Sequence, residues 1–178
     1  SHSLTPLDIV SGYAVFANGG YKVKPYIIER IIDRDGNTLY RAEPETVCRD
    51  CSTDPDGNVF DPRHAIEADT LDDMLNENIE TFLIDSILQD VITRGTGRKA
   101  LVLERSDAAG KTGTINGPTD AWFSGYSGGI VTSTWVGFDQ NHNLGRREYG
   151  GSVALPIWID YMKEALKNKP ERHLKQPD

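Results

Sequence analysis

Three runs between Ala108 and Phe138 constrain this chain more than anything else in it. Ala108–Thr114 reads as a short strand, and Ala121–Ser127 and Val131–Phe138 are rich in aromatic and β-branched residues, the composition of pleated, half-buried strands. Ser127-Gly128-Gly129 joins the last two at hairpin distance, which makes that pair antiparallel. A chain built around such a meander buries one or both faces of the sheet under helices.

Helical spacing supplies those helices. Thr5 reads as an N-cap with Pro6 in the first helical position, and Leu7, Val10, Ala14 and Ala17 repeat at helical spacing before Gly19-Gly20. Phe82, Leu83, Ile87, Val91 and Ile92 form a stripe over residues 79–93, stopped by Arg94-Gly95-Thr96-Gly97. A last helix is expected from Pro156 to Leu166. Tyr26–Ile32, Asp35-Gly36-Asn37 and Thr38-Leu39-Tyr40 read as a β-hairpin. Residues 42–77 have poor apolar periodicity and recurrent Asp, Pro, Gly and Asn, so they read as an acidic loop or insertion. Residues 169–178 read as a flexible tail. The expected class is α+β, an antiparallel sheet with helices packed on its faces. Three strands make a thin core for 178 residues, and the sheet calls for more than this chain supplies.

Charge is uneven. Residues 43–90 carry 14 Asp/Glu against two Arg, while the remainder carries 17 Lys/Arg against 13 Asp/Glu. The overall net charge of −8 argues against nucleic-acid binding. No apolar run reaches the length of a membrane span. The chain opens without Met, basic n-region or apolar h-region, so it is expected to be a processed or excised piece, with Ser1-His2 a cloning remnant.

Two chemistries use a string such as Gly110-Lys111-Thr112-Gly113-Thr114. A phosphate-binding P-loop needs Gly at 105, where this chain has Arg, and a helix after Lys-Thr, where Ile115-Asn116-Gly117-Pro118 breaks one. The Lys-Thr-Gly of serine acyl-transferases suits a strand edge better. Lys111 points a positive charge into a cleft, the hydroxyls of Thr112 and Thr114 share one face, and Gly113 leaves room for a peptide lying along the strand.

The context extends well beyond the tripeptide. Gly95-Thr96-Gly97, the 110–114 string, Asp120–Tyr126, Trp135–Asp139, Gly150-Gly151, Ala154–Trp158 and Tyr13–Gly20 follow in an order and spacing that resembles the C-terminal part of the transpeptidase domain of class A (bifunctional, 1A-type) penicillin-binding proteins. The resemblance covers residues 4 to about 166 outside the acidic stretch. It implies a partial penicillin-binding, serine β-lactamase-like fold over residues 1–168. It implies cross-linking of peptidoglycan stem peptides through an acyl-serine, and acylation by β-lactams. It needs no cofactor. It places the activity at the periplasmic face of the inner membrane, in a parent anchored by an N-terminal segment absent here. By this likeness Lys111, Thr112, Gly113 and Thr114 are the catalytic candidates. Lys111 helps shuttle protons, Thr112 and Thr114 hold the donor carboxylate, and the Thr114 N–H forms half of an oxyanion hole.

The chain departs from the family in one respect. No serine is followed three places on by Lys, and none has Asn two places on, so the S-x-x-K and S-x-N motifs are missing. The expectation is a chain inactive alone, whose partner is the upstream part of the same domain. A non-catalytic module binding carboxylated peptides is the alternative.

The remaining candidates are weaker. His2, His64, His142 and His173 are scattered, so no metal site is expected. A Ser-His-Asp triad stays open, because such residues converge only in space. Ser124 lacks the flanking pattern of a nucleophile elbow and reads as a strand residue. Trp122, Phe123, Trp135 and Phe138 read as sheet core, and Asp120 as a structural support that could pair with a nearby Lys or Arg. Cys48 and Cys51 are a disulfide candidate or a reduced pair.

Overall fold

The structure, a computed structural model, describes residues 4–22, 24–44, 71–115 and 117–176, with the backbone alone for 71–78. The first helix, α1 (Pro6–Ala17), starts where its cap requires. The Thr5 hydroxyl accepts from the Asp8 N–H, and the Asp8 carboxylate accepts from the Thr5 N–H at 2.8 Å. Such a capping box is worth about 1 kcal/mol. Gly19 and Gly20, with φ of 77° and 101°, turn the chain out of the helix.

The hairpin forms, but is shorter than its composition suggests. β1 is Arg30–Ile32 and β2 is Thr38–Arg41, antiparallel, with an irregularity between Ile31 and Ile32. Asp33 holds the turn by accepting from the N–H groups of Asp35 and Asn37 and from the Asn37 amide. Tyr26–Glu29, expected as strand, has no ladder partner.

Helix α2 runs Leu71–Thr93, eight residues earlier than its apolar stripe predicts. Residues 71–77, assigned to the loop from sequence, are therefore helical. Asp72, Asp73 and Asn76 dilute the apolar periodicity there. A 3₁₀ turn follows at Arg98–Leu103, which the sequence reading lacked.

β3 (Ala109–Thr114), β4 (Asp120–Ser127) and β5 (Ile130–Gly137) form one antiparallel sheet in the order β3-β4-β5. Helix α3 (Leu155–Ala165) follows a π-helical turn at Gly150–Ala154. An α+β fold with antiparallel strands and flanking helices is thus what the chain adopts.

The two faces of the sheet hold separate apolar clusters. On one, Phe123 stands edge-on to Trp158 of α3 at 4.9 Å, with Ile92, Leu155 and Met162 buried around them. On the other, Tyr126 and Ala109 pack with Leu88 of α2 and with Tyr13 and Phe16 of α1. Register separates the faces, since Thr112 pairs with Phe123 and Lys111 with Ser124. Phe123 is core as expected. Trp122 is only half-buried, Trp135 on the outer strand β5 is exposed, and Phe138, just past the end of β5, is exposed as well.

Two carboxylates are buried against the sheet, with opposite consequences. Asp85 accepts from the Tyr126 hydroxyl at 2.6 Å and from the Gln89 amide at 2.8 Å. Burial outweighs both bonds and holds its pKa above the ordinary value. The folded protein therefore binds that proton more tightly than the unfolded chain. Its contribution to stability is complete below the unfolded pKa of about 4 and is lost as pH rises through the folded pKa. Asp85→Asn keeps an acceptor for Tyr126 and removes the charge. Thermal unfolding from roughly pH 4 to pH 7 is expected to lose this fall in the variant.

Asp107 is the opposite case. Burial alone would raise its pKa, but Arg105, Ser127 and the N–H groups of Arg172 and Gly128 outweigh that and lower it. The same cluster pins the C-terminal segment. Arg105 donates to the carbonyls of Lys169 and Pro170, and Ser106 donates to Glu171. Residues 169–172, read from sequence as part of a flexible tail, are therefore anchored by polar groups that carry no periodic signal.

Candidate functional site

β3 is an outer strand of its sheet and carries Lys111, Thr112, Gly113 and Thr114 in one unbroken run. The strand lies so close to β4 that its glycines are steric requirements. A Cβ on Gly110 would sit 2.8 Å from the Phe123 ring and the Ser124 carbonyl, and one on Gly113 would sit 3.1 Å from the Trp122 Cβ. Sequence reasoning assigned Gly113 to substrate clearance. The structure adds that its missing side chain makes room for Trp122.

Each hydroxyl of the strand is oriented by a partner. Thr114 Oγ1 accepts from the Gly150 N–H at 3.1 Å. A hydroxyl has one proton, so that proton is left to donate elsewhere. Thr112 Oγ1 and Thr96 Oγ1 lie 2.7 Å apart. One donates to the other, and the pair keeps one proton for an acceptor outside it. Both hydroxyls are on the face of β3 that carries Thr96 and the π-turn. This is a ready arrangement for binding a carboxylate.

Lys111 is exposed, and its Nζ donates to the Thr112 carbonyl at 2.9 Å. It makes no ion pair among the described residues. With Ile9 and Tyr13 of α1 and with Gly113, Trp122 and Ser124 it lines an open cleft of about 180 Å³ between helix and sheet edge. The cleft is apolar on the helix side and basic at Lys111.

Two residues here escaped the sequence reading. Thr96 and Gly150 appear in the motif order, yet nothing in their spacing tells which atoms they contact. Gly150 packs its backbone flat on the site. A Cβ there would fall 2.3 Å from the Trp122 carbonyl oxygen and 2.7 Å from that of Gly113. Gly150→Ala is expected to push the π-turn off β3, break the bond to Thr114 and cost about 1–3 kcal/mol. The shift in urea midpoint measures it.

Other sequence candidates are placed elsewhere. Ser124 is buried and shares a hydrogen bond with Ser133 Oγ at 2.7 Å. It faces Lys111 in register but makes no bond to it. Asp120 accepts from the Trp135 indole N–H at 2.8 Å and from Thr119, a structural support with an aromatic partner rather than the cation expected. Ser106, Glu171 and His173 meet on the surface, but His173 reaches both partners through Nε2 at 3.3 Å. A catalytic triad needs the acid on the other ring nitrogen. Cys48 and Cys51 lie outside the described residues.

Residues 1–163 match the family described as penicillin binding protein transpeptidase domain. The chain is 49% identical to penicillin-binding protein 1A of Pseudomonas aeruginosa, an alignment covering 98% of this chain and 24% of that protein. It is 40% identical to penicillin-binding protein 1A of Neisseria lactamica, covering 98% and 19%. The crystal structure of penicillin-binding protein 1A from Haemophilus influenzae superimposes with a TM-score of 0.78 at 38% identity, over 98% of this chain and 28% of that one. The chain thus spans about a quarter or less of the length of these relatives.

Proposed function

Because the chain belongs to the penicillin-binding protein transpeptidase domain family, we propose that it is the C-terminal portion, residues 1–168, of a peptidoglycan transpeptidase of the 1A type. In this reading a serine supplied from upstream attacks the penultimate D-Ala carbonyl of a stem peptide. The last D-Ala leaves, and an amine of a second stem peptide takes the acyl group. β-Lactams acylate the same serine. The present chain contributes the Lys111–Thr114 strand and no nucleophile of its own, so it does not acylate alone.

The observation that carries the proposal is the pair of oriented hydroxyls beside Lys111 on an outer strand. An extended peptide can add to such an edge through its main chain. Its terminal carboxylate then takes the protons of Thr114 and the Thr96–Thr112 pair. Lys111 gives the cleft a positive potential and relays protons to and from the reacting serine. The substrate backbone passes over Gly113, and the Thr114 N–H serves the oxyanion.

The expected setting is the periplasmic face of the bacterial inner membrane, with the anchor elsewhere in the protein. Among the described residues no helix is long and apolar enough to cross a membrane. Thr114→Val keeps the shape and removes the donor. In the longer protein it is expected to slow acylation by fluorescent penicillin at least tenfold, since a bond to a charged group is worth about 1.5–3 kcal/mol. An unchanged rate would remove Thr114 from carboxylate binding.

A further inference from the structure

The π-turn at Gly150–Ala154 lies against the site strand, and one side chain holds its entry. The Leu155 N–H donates back to the Gly150 carbonyl, the i→i−5 bond that marks such a turn. Turns of this kind recur at functional sites. Just before it, Arg147 has a φ of 68°. A residue other than glycine stays in that left-handed region only where its surroundings hold it there.

Ser152 supplies the hold. Its Oγ accepts from the Tyr149 N–H at 2.7 Å, and lies 2.7 Å from the Arg147 carbonyl and 2.9 Å from that of Tyr149. A hydroxyl has a single proton to give. The Tyr149 carbonyl already accepts from the N–H groups of Ser152 at 2.9 Å and Val153 at 3.0 Å, which occupies both of its lone pairs. The Ser152 proton therefore goes to Arg147. One residue thus grips Tyr149 at both its N–H and its carbonyl, and pins the strained Arg147 beside it.

The consequence reaches the site through one peptide bond. The Tyr149–Gly150 peptide is planar and trans, so its C=O and N–H point in opposite directions and rotate together. Its carbonyl end is held by Ser152 and Val153. Its N–H end donates to Thr114 Oγ1 at 3.1 Å. Fixing the carbonyl aims the Gly150 N–H, and that N–H takes up one side of the Thr114 oxygen.

We propose that Ser152 is a positioning residue of the site: it stops rotation of the Tyr149–Gly150 peptide and so keeps the Thr114 hydroxyl aimed at the carboxylate of a bound peptide. This rests on the reading above, which gives Thr114 that carboxylate. Ser152 acts only through Gly150 and Thr114.

The test compares Ser152→Ala, which removes the hydroxyl, with Ser152→Thr, which keeps it, both in the longer protein. Hydrogen exchange at the Gly150 amide is resolved by fragmentation mass spectrometry. Acylation by fluorescent penicillin is followed across concentrations. Ser152→Ala is expected to quicken Gly150 exchange about fivefold and to raise the half-saturating penicillin concentration about fivefold. The limiting rate stays within about twofold, because the carboxylate is held equally before and during attack. Ser152→Thr restores both values. In a Thr114→Val background, Ser152→Ala raises the half-saturating concentration no further. The same rise in both backgrounds would make Ser152 an ordinary fold residue and overturn the proposal, as would unchanged exchange or unchanged acylation in Ser152→Ala. A parent protein that fails to label, with Gly150 exchange still quickened by Ser152→Ala, sinks the transpeptidase reading and leaves the hold on the peptide standing. Labelling with neither change in Ser152→Ala sinks the positioning role alone.

Discussion

Lys111→Ala in the longer protein is expected to slow acylation by penicillin about a thousandfold while leaving the fold intact. The side chain is exposed, lies on an outer strand and bonds only to the neighbouring Thr112. Removing it deletes no core contact and strands no buried partner. The loss is therefore chemical. A positioned proton-transfer group contributes about 10²–10⁴ in rate, and the loss of cleft potential acts in the same direction. Stopped-flow acylation gives the rate, and an unchanged urea midpoint shows that the fold survives. Equal losses of rate and stability would instead make Lys111 a structural residue.

Asp107→Ala is expected to cost about 3–5 kcal/mol, because it breaks a buried ion pair from one side. The carboxylate accepts two bonds from Arg105 at 3.0 Å, one from Ser127 at 2.6 Å, and N–H bonds from Gly128 and Arg172. Its side chain is 1% exposed and that of Arg105 13%. Truncation leaves a nearly buried guanidinium without its counter-charge and frees the 169–172 segment. The pH dependence carries a second signature. The folded pKa is depressed, so this stability is present above the unfolded pKa of about 4 and is lost as pH falls through the folded value. Asp107→Ala is therefore expected to be less acid-sensitive than the parent as well as less stable. Urea unfolding at neutral and acidic pH measures both.

Elements with a strong period or a strong stop were legible from sequence. The Thr5 cap, Gly19-Gly20, the Asp35-Gly36-Asn37 turn and the Ser127-Gly128-Gly129 connection fixed where α1 ends and where the hairpins bend. The Lys-Thr-Gly string and its neighbours pointed to the site strand. What stayed hidden depends on contacts between distant residues. The start of α2 is masked by acidic and amide residues that do not break a helix once it has nucleated. Trp135 looks like core in any window, yet β5 is an outer strand and leaves it in solvent. Thr96 lies 16 residues from Thr112 and Gly150 lies 36 from Thr114. No local pattern brings either to the site.

The chemistry of the site follows from this geometry. The Gly150 N–H and the Thr96–Thr112 pair leave hydroxyl protons on β3 free to donate, and β3 has a sheet neighbour on one side only. Among the described residues, one serine faces Lys111 across the ladder. That residue, Ser124, is buried and bonded to Ser133.

The central claim is that the strand completes an active site whose nucleophile comes from elsewhere in the polypeptide. Fluorescent-penicillin labelling of the 178-residue chain beside the longer protein tests it most directly. The account predicts a covalent band for the longer protein and none for the short chain. Covalent labelling of the short chain would place a nucleophile within these residues and contradict it. So would a longer protein that fails to label, which would leave a module that binds carboxylated peptides without acylating.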